Sequence, residues 1–267
     1  MSSRPRRTSS ALLALVVSAA ALGCDEGTPT PPARRPPDVP IRNPIETLLT
    51  ENPPPASRLD GTAVLVLVDA SGSMGDSVLD AKGIQRPKMD IARRCVRSLV
   101  RQAEQFTKKN PEARFVLGIE EFSAREGRPP CREVVTLGPP NEGIAANFLA
   151  RIIPGGGTPI GDALIEAKQK LDKSGYRRQH ILLVTDGENT VGYAPADVVD
   201  VISRLPEDRR ASLYFVAFDI AAAQFKASRD AGALVLGASN EQELQQTLDY
   251  VLTGKILAEQ TAPPPGK

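Results

Sequence analysis

The sequence predicts an α/β fold: an open, mostly parallel, doubly wound sheet flanked by helices, with one antiparallel edge strand. Short continuous apolar runs alternate with stretches of helical periodicity, the pattern of successive β-α-β units. Within those runs polar and apolar residues do not alternate, so the strands are covered on both faces. Aromatic residues are scarce, with 7 Phe, 4 Tyr and no Trp in 267 residues. The core must therefore be aliphatic, which suits a parallel sheet between two helical layers.

The elements follow in chain order. Residues 63–68 read Ala-Val-Leu-Val-Leu-Val and stop at Asp69, giving a first strand buried on both faces. Between 87 and 109, Ile91, Cys95, Val96, Leu99, Val100 and Ala103 form one stripe of a helix. A second buried strand lies at 115–119, and 134–137 returns against 115–122 as an edge strand. Pro159 sits at the first turn of a helix running to 171, whose apolar face carries Ile160, Ala163, Leu164 and Ala167. Strands are expected at 181–184, 213–218 and, shorter, 233–236. Helices are expected at 197–205 and 241–257, the latter lined by Leu244, Leu248, Val251 and Leu252.

Outside this body the chain changes character. Arg4, Arg6 and Arg7 precede an apolar run at 11–22 broken only by Ser18, which reads as an export signal over residues 1–23. The run is too short for a membrane-spanning helix, which needs about 20 apolar residues. Its end, Ala21-Leu22-Gly23-Cys24, resembles a bacterial lipobox, which implies that Cys24 becomes the lipidated first residue of the mature chain. The alternative is an ordinary signal peptide cut nearby, leaving Cys24 a plain thiol. Acylation at Cys24 would anchor the protein in the cell envelope, on the periplasmic face or the cell surface. Residues 24–60 are rich in proline and read as a stiff stalk, able to reach roughly 110 Å at ~3.1 Å per residue. Residues 61–260 form the α/β domain, and 261–267 a flexible tail.

The chain holds 33 basic against 32 acidic residues. Such a balance argues against a nucleic-acid partner, for which a basic surplus is expected.

Oxygen-bearing residues cluster just after strands or just before a helix. The first strand ends in Asp69-Ala70-Ser71-Gly72-Ser73, Gly155-Gly156-Gly157-Thr158-Pro159 leads into a helix, and the 181–184 strand ends in Thr185-Asp186-Gly187. In open α/β sheets the carboxyl ends of strands line the binding crevice. Two carboxylates and three hydroxyls, without nitrogen or sulfur, indicate a hard cation: Mg²⁺ first, with Mn²⁺ also suited. The structural alternative makes Ser71 and Ser73 turn formers, Thr158 a helix N-cap and the aspartates turn acceptors.

These motifs, in this order, resemble the von Willebrand factor A (VWA) domain family and its metal-ion-dependent adhesion site, over residues 61–260. Asp69, Ser71 and Ser73 match D-x-S-x-S, while Thr158 and Asp186 match the distant Thr and Asp. The resemblance implies that Ser71, Ser73 and Thr158 touch the metal through their hydroxyls. Asp69 and Asp186 would hold it directly or through water. It also implies a protein partner that contributes a carboxylate to an open coordination position. The leading expectation is therefore a lipid-anchored, extracytoplasmic binding module. The alternative is a scaffold subunit of an envelope complex in which the metal is structural.

Other residues carry less. His180, the single histidine, lacks an acid partner in sequence, and Ser71 lacks the G-x-S-x-G elbow of a serine hydrolase, so no enzyme is expected. Gly254-Lys255 lacks the remainder of a phosphate loop. Glu120-Glu121 reads as a solvated strand end, and 74–86 as a surface loop or a disordered one. Export would allow Cys95 and Cys131 to pair as a disulfide; the alternative is one buried and one exposed thiol.

Overall fold

In a computed structural model of the protein, residues 43–51, 53–80 and 82–261 are described. The signal segment with Cys24, the first part of the stalk and the tail beyond 261 lie outside the described residues. The elements run α1 (Pro44–Thr50), β1 (Leu59–Asp69), a hairpin of β2 (Ser77–Leu79) and β3 (Gln85–Pro87), α2 (Lys88–Lys109), β4 (Phe115–Phe122), β5 (Cys131–Gly138), α3 (Glu142–Leu149) and α4 (Ile160–Ser174). They continue with β6 (Tyr176–Thr185), α5 (Pro195–Arg204), β7 (Ser212–Phe218), α6 (Lys226–Asp230), β8 (Leu234–Ala238) and α7 (Glu241–Val251). A π-helical turn at Leu252–Leu257 leads into α8 (Ala258–Thr261).

Among the described residues, one sheet has the order β5-β4-β1-β6-β7-β8. Only β5 is antiparallel, pairing Cys131 with Phe122, so the expected architecture and its edge strand are present. The continuous apolar run of β1 is explained by its central place. Val64, Val66 and Val68 pack on one face with residues of α2, α3 and α7. Ala63, Leu65 and Leu67 pack on the other with residues of α1, α4 and α5. Pleating sends successive side chains to opposite faces, so a strand covered on both needs no polar residue.

Three expectations require correction. The segment 24–60 is not spacer throughout: α1 belongs to the domain. Its Ile45 and Leu49 are buried in the core, Asn43 caps its start, and its last carbonyls are held from the domain. Gln169 Nε2 donates to Leu48 O at 2.9 Å, and Arg209 Nη2 to Leu49 O at 2.9 Å. Cys95 and Cys131 are both buried, free thiols, in the cores on opposite faces of the sheet. A disulfide through the sheet is excluded by bond reach. Burial pushes the Cys95 thiol up to about 12 and raises that of Cys131 further, so both stay protonated and unreactive. Glu120 and Glu121 are not a solvated end but buried residues of β4, paired with Lys170 and Arg132 at 2.7 Å each. Of the two readings of 74–86 the surface loop holds: its described residues form a short 3-10 turn and the β2–β3 hairpin and are largely exposed.

His180 is 1% exposed, inside β6. Its ring stacks on Tyr214 with centroids 6.0 Å apart. Burial, aided by the Arg178 charge, lowers its pKa to about 4, and the Glu259 carboxylate 3.4 Å from Nε2 does not offset this. Unfolded His180 takes a proton near 6.5 that the folded state refuses, so its contribution is complete above that pH and is lost as pH falls toward 4. Between pH 6.5 and 4, denaturant titrations of the wild type should lose about 3 kcal/mol more stability than those of His180→Gln. Parallel pH profiles for the two proteins would contradict this.

Candidate metal centre

The chain leaves β1 for β4 on one side of the sheet and β6 for β7 on the other, so the connections diverge between the two central strands. Divergence opens a crevice at their carboxyl ends. Asp69 ends β1, Asp186 follows the last residue of β6, and Thr158 lies two residues before α4. All five expected residues thus come from three loops at one rim.

Those loops are stitched together through their backbones. Gly155 N donates to Ala70 O at 2.8 Å, Gly72 N to Gly156 O at 3.0 Å, and Thr190 N to Thr158 O at 2.9 Å. Thr190 Oγ1 accepts from Thr158 N at 2.8 Å. Gly156 has φ +84°, and a Cβ there would lie 2.1 Å from Ala124 O, so only glycine allows this approach. Arg125, which the sequence reading passed over, clamps the same turn: its guanidinium donates to Gly155 O at 2.9 Å and also to Ile153 O.

Asp69 is fully buried and faces inward. Its Oδ1 accepts from Ser71 N at 2.7 Å and its Oδ2 from Thr185 Oγ1 at 2.6 Å. Burial raises its pKa to about 6 despite those hydrogen bonds. With each oxygen accepting one hydrogen bond, the Asp69 carboxylate ties the Ser71 loop to the end of β6. The outer oxygens form a chain: Ser71 Oγ lies 3.1 Å from Ser73 Oγ, which donates to Asp186 Oδ1 at 2.8 Å. A Cβ on Gly187 would sit 3.7 Å from both Ser73 Oγ and Thr158 Oγ1, so the Thr158 hydroxyl faces the same small space. Neighbouring ligands of an octahedral ion with bonds near 2.1 Å are about 3.0 Å apart. The spacing of Ser71, Ser73 and Asp186 matches that edge, and the donor set fits Mg²⁺ or Mn²⁺. Among the described residues no group of three or more His, Cys, Asp or Glu side chains is placed to hold a metal; here two aspartates and three hydroxyls supply the donors.

Two further side chains complete the site and were not singled out in the sequence. Lys88, first residue of α2, donates from Nζ to Asp186 Oδ2 at 3.0 Å and lies 2.9 Å from Asp219 Oδ2. Burial disfavours its charge, but hydrogen bonds to Asp219 and Asp186 outweigh this and raise its pKa above the ordinary lysine value. Asp219 directly follows β7 and holds a left-handed backbone, φ +56°, a conformation aspartate tolerates better than most residues. Its sequence signal was present: like Asp69 and Asp186, it is an aspartate at the carboxyl end of an apolar strand.

The family profile for the von Willebrand factor type A domain matches residues 63–247. The chain belongs to the VWA family. Among similar proteins is the uncharacterized YwmD of Bacillus subtilis (strain 168), 28% identical over 167 residues, spanning 62% of this chain and 72% of that protein. The PilB minor pilin of Streptococcus sanguinis superposes with a TM-score of 0.55 at 15% identity, covering 79% of this chain but only 65% of the pilin. The conserved hypothetical protein BatB of Bacteroides thetaiotaomicron gives 0.52 at 15% identity, covering 72% of this chain and 99% of that one. At such identities the two structural likenesses establish the fold alone. VWA domains are typically interaction modules. Among the described residues no helix is long and apolar enough to cross a membrane.

Proposed function

We propose that this VWA domain is an extracytoplasmic, lipid-anchored module that binds a protein partner through a divalent cation, Mg²⁺ or Mn²⁺. One observation carries the reading. Ser71 Oγ, Ser73 Oγ and Asp186 Oδ1 are spaced like neighbouring ligands of one small hard ion, at a rim where three loops meet. Ser71, Ser73 and Thr158 are neutral donors, so the site transfers little charge to what it holds. When bound, the ion would offer a partner carboxylate an open and still electron-poor coordination position. Asp69 keeps the first loop curled around its own carboxylate and so fixes where the Ser71 hydroxyl stands. The Cys24 lipid and the proline-rich segment would present the domain at a distance from the envelope membrane.

Three experiments test the two parts of this reading. Affinity capture from solubilised envelope, with the full chain as bait, should recover the partner in Mg²⁺ and lose it in EDTA while circular dichroism shows a folded domain. Asp69→Asn should weaken Mg²⁺ binding by about 10–100-fold, the usual consequence of removing a group that orients metal ligands. Retention of the partner in EDTA would contradict metal bridging and favour the scaffold reading. For the anchor, metabolic labelling with a fatty acid should mark the wild type and not Cys24→Ala; equal label in both would contradict it.

A further inference from the structure

We infer that Lys88 is a built-in counter-ion of this centre, which shares Asp186 with the divalent cation and lowers the affinity of the site for it. The inference rests on the proposed metal reading and adds a residue to it that the D-x-S-x-S, Thr and Asp motif does not contain.

The two oxygens of Asp186 are divided. Oδ1 faces the hydroxyl side and accepts from Ser73, whereas Oδ2 accepts from Lys88 Nζ at 3.0 Å. An ion held on the hydroxyl side would therefore lie across one carboxylate from a fixed ammonium. Two like-signed charges that close, at a site shielded from water, repel strongly. The lysine is no mobile surface group: its side chain is 10% exposed and is gripped from the far side by Asp219 at 2.9 Å. Its backbone is fixed as well, Lys88 N donating to Asp76 O at 2.8 Å.

Placement argues in the same direction. A cation in the first turn of a helix opposes the helix dipole, so the start of α2 is an unfavourable place for lysine unless carboxylates compensate. Here two do. Three aspartates, Asp69, Asp186 and Asp219, stand at this rim beside one ammonium, which contacts Asp186 and Asp219. With Lys88 present the cluster is near −2 and a divalent ion neutralises it; without Lys88 it is near −3 and should draw the ion harder. The same ammonium restrains Asp186 when no ion is bound, so the loop after β6 keeps its shape through metal loss. Lys88 thereby exchanges affinity for a site that stays formed and releases its ion readily.

The test is calorimetric titration of Mg²⁺ and Mn²⁺ into the full-length protein, wild type against Lys88→Met and Lys88→Gln, with thermal melts in EDTA and in Mg²⁺. Both variants should bind the ions at least about tenfold more tightly than wild type. Both should melt lower than wild type in EDTA and regain much of that loss in Mg²⁺. Lys88→Gln retains a hydrogen-bond donor toward the aspartates, and so reports on charge if Lys88→Met does not fold. Unchanged or weaker affinity in the variants, with a normal wild-type titration, would overturn the role of Lys88 and leave the metal reading intact. No heat of binding from wild type or variants would overturn the metal reading, and this inference with it.

Discussion

The carboxylate of Asp69 has no exposure to solvent, yet both its oxygens are occupied, one by the Ser71 amide and the other by the Thr185 hydroxyl. That arrangement ties the end of β1 to the end of β6 across the centre of the sheet. It also curls the chain after Asp69, where Ser71 Oγ stands 3.1 Å from Ser73 Oγ. Every other feature of the rim presupposes it. The Gly155–Gly157 turn docks on the backbone of Ala70 and Gly72, and the loop after Asp186 docks in turn on Thr158. The hydrogen bonds do not fully compensate the buried charge, as the raised pKa of Asp69 shows. A site that keeps an incompletely stabilised carboxylate inside the protein is one where a nearby positive charge is favourable.

That charge has two sources in this account, an internal one and an external one. Lys88 neutralises the outer face of Asp186 and part of Asp219, but it does not contact Asp69. The hydroxyl side of the cluster remains negative and is lined by neutral oxygens. Division of one carboxylate between an ammonium and a metal position links the first turn of α2, the end of β6 and the end of β7 in a single electrostatic unit. The strained backbone of Asp219 belongs to the same unit, since its φ of +56° accompanies a carboxylate within 2.9 Å of Lys88. Strain of this kind persists where the surrounding contacts over-determine a conformation.

Much of this was legible in the sequence because parallel central strands leave a plain trace. Buried on both faces, β1, β6 and β7 read as continuous aliphatic runs, and the aspartates that terminate them mark the crevice. Asp69, Ser71, Ser73, Thr158 and Asp186 could be placed at one rim on that basis. What escaped depended on partners distant in the chain. Glu120 looks like a solvated strand end until Lys170, 50 residues on, is folded against it. The helix α1 lies in proline-rich sequence, and only the pocket that receives Ile45 and Leu49 makes it part of the domain. Cys95 and Cys131 could not be assigned to opposite faces without knowing that α2 covers one side and that Cys131 points to the other. Lys88 follows Pro87 at a helix start, where composition alone gives no reason to expect a cation. Asp219 was readable by the rule that exposed Asp69 and Asp186, but no motif draws attention to it.

The claim on which the rest stands is that this rim holds one divalent cation between the hydroxyls and Asp186. Crystals of the protein grown with Mn²⁺, measured for anomalous scattering, test it directly. The account predicts one strong anomalous peak within bonding distance of Ser71 Oγ, Ser73 Oγ and Asp186 Oδ1, with Lys88 still on the opposite oxygen of Asp186. A map with no peak at this position under saturating Mn²⁺ would contradict it.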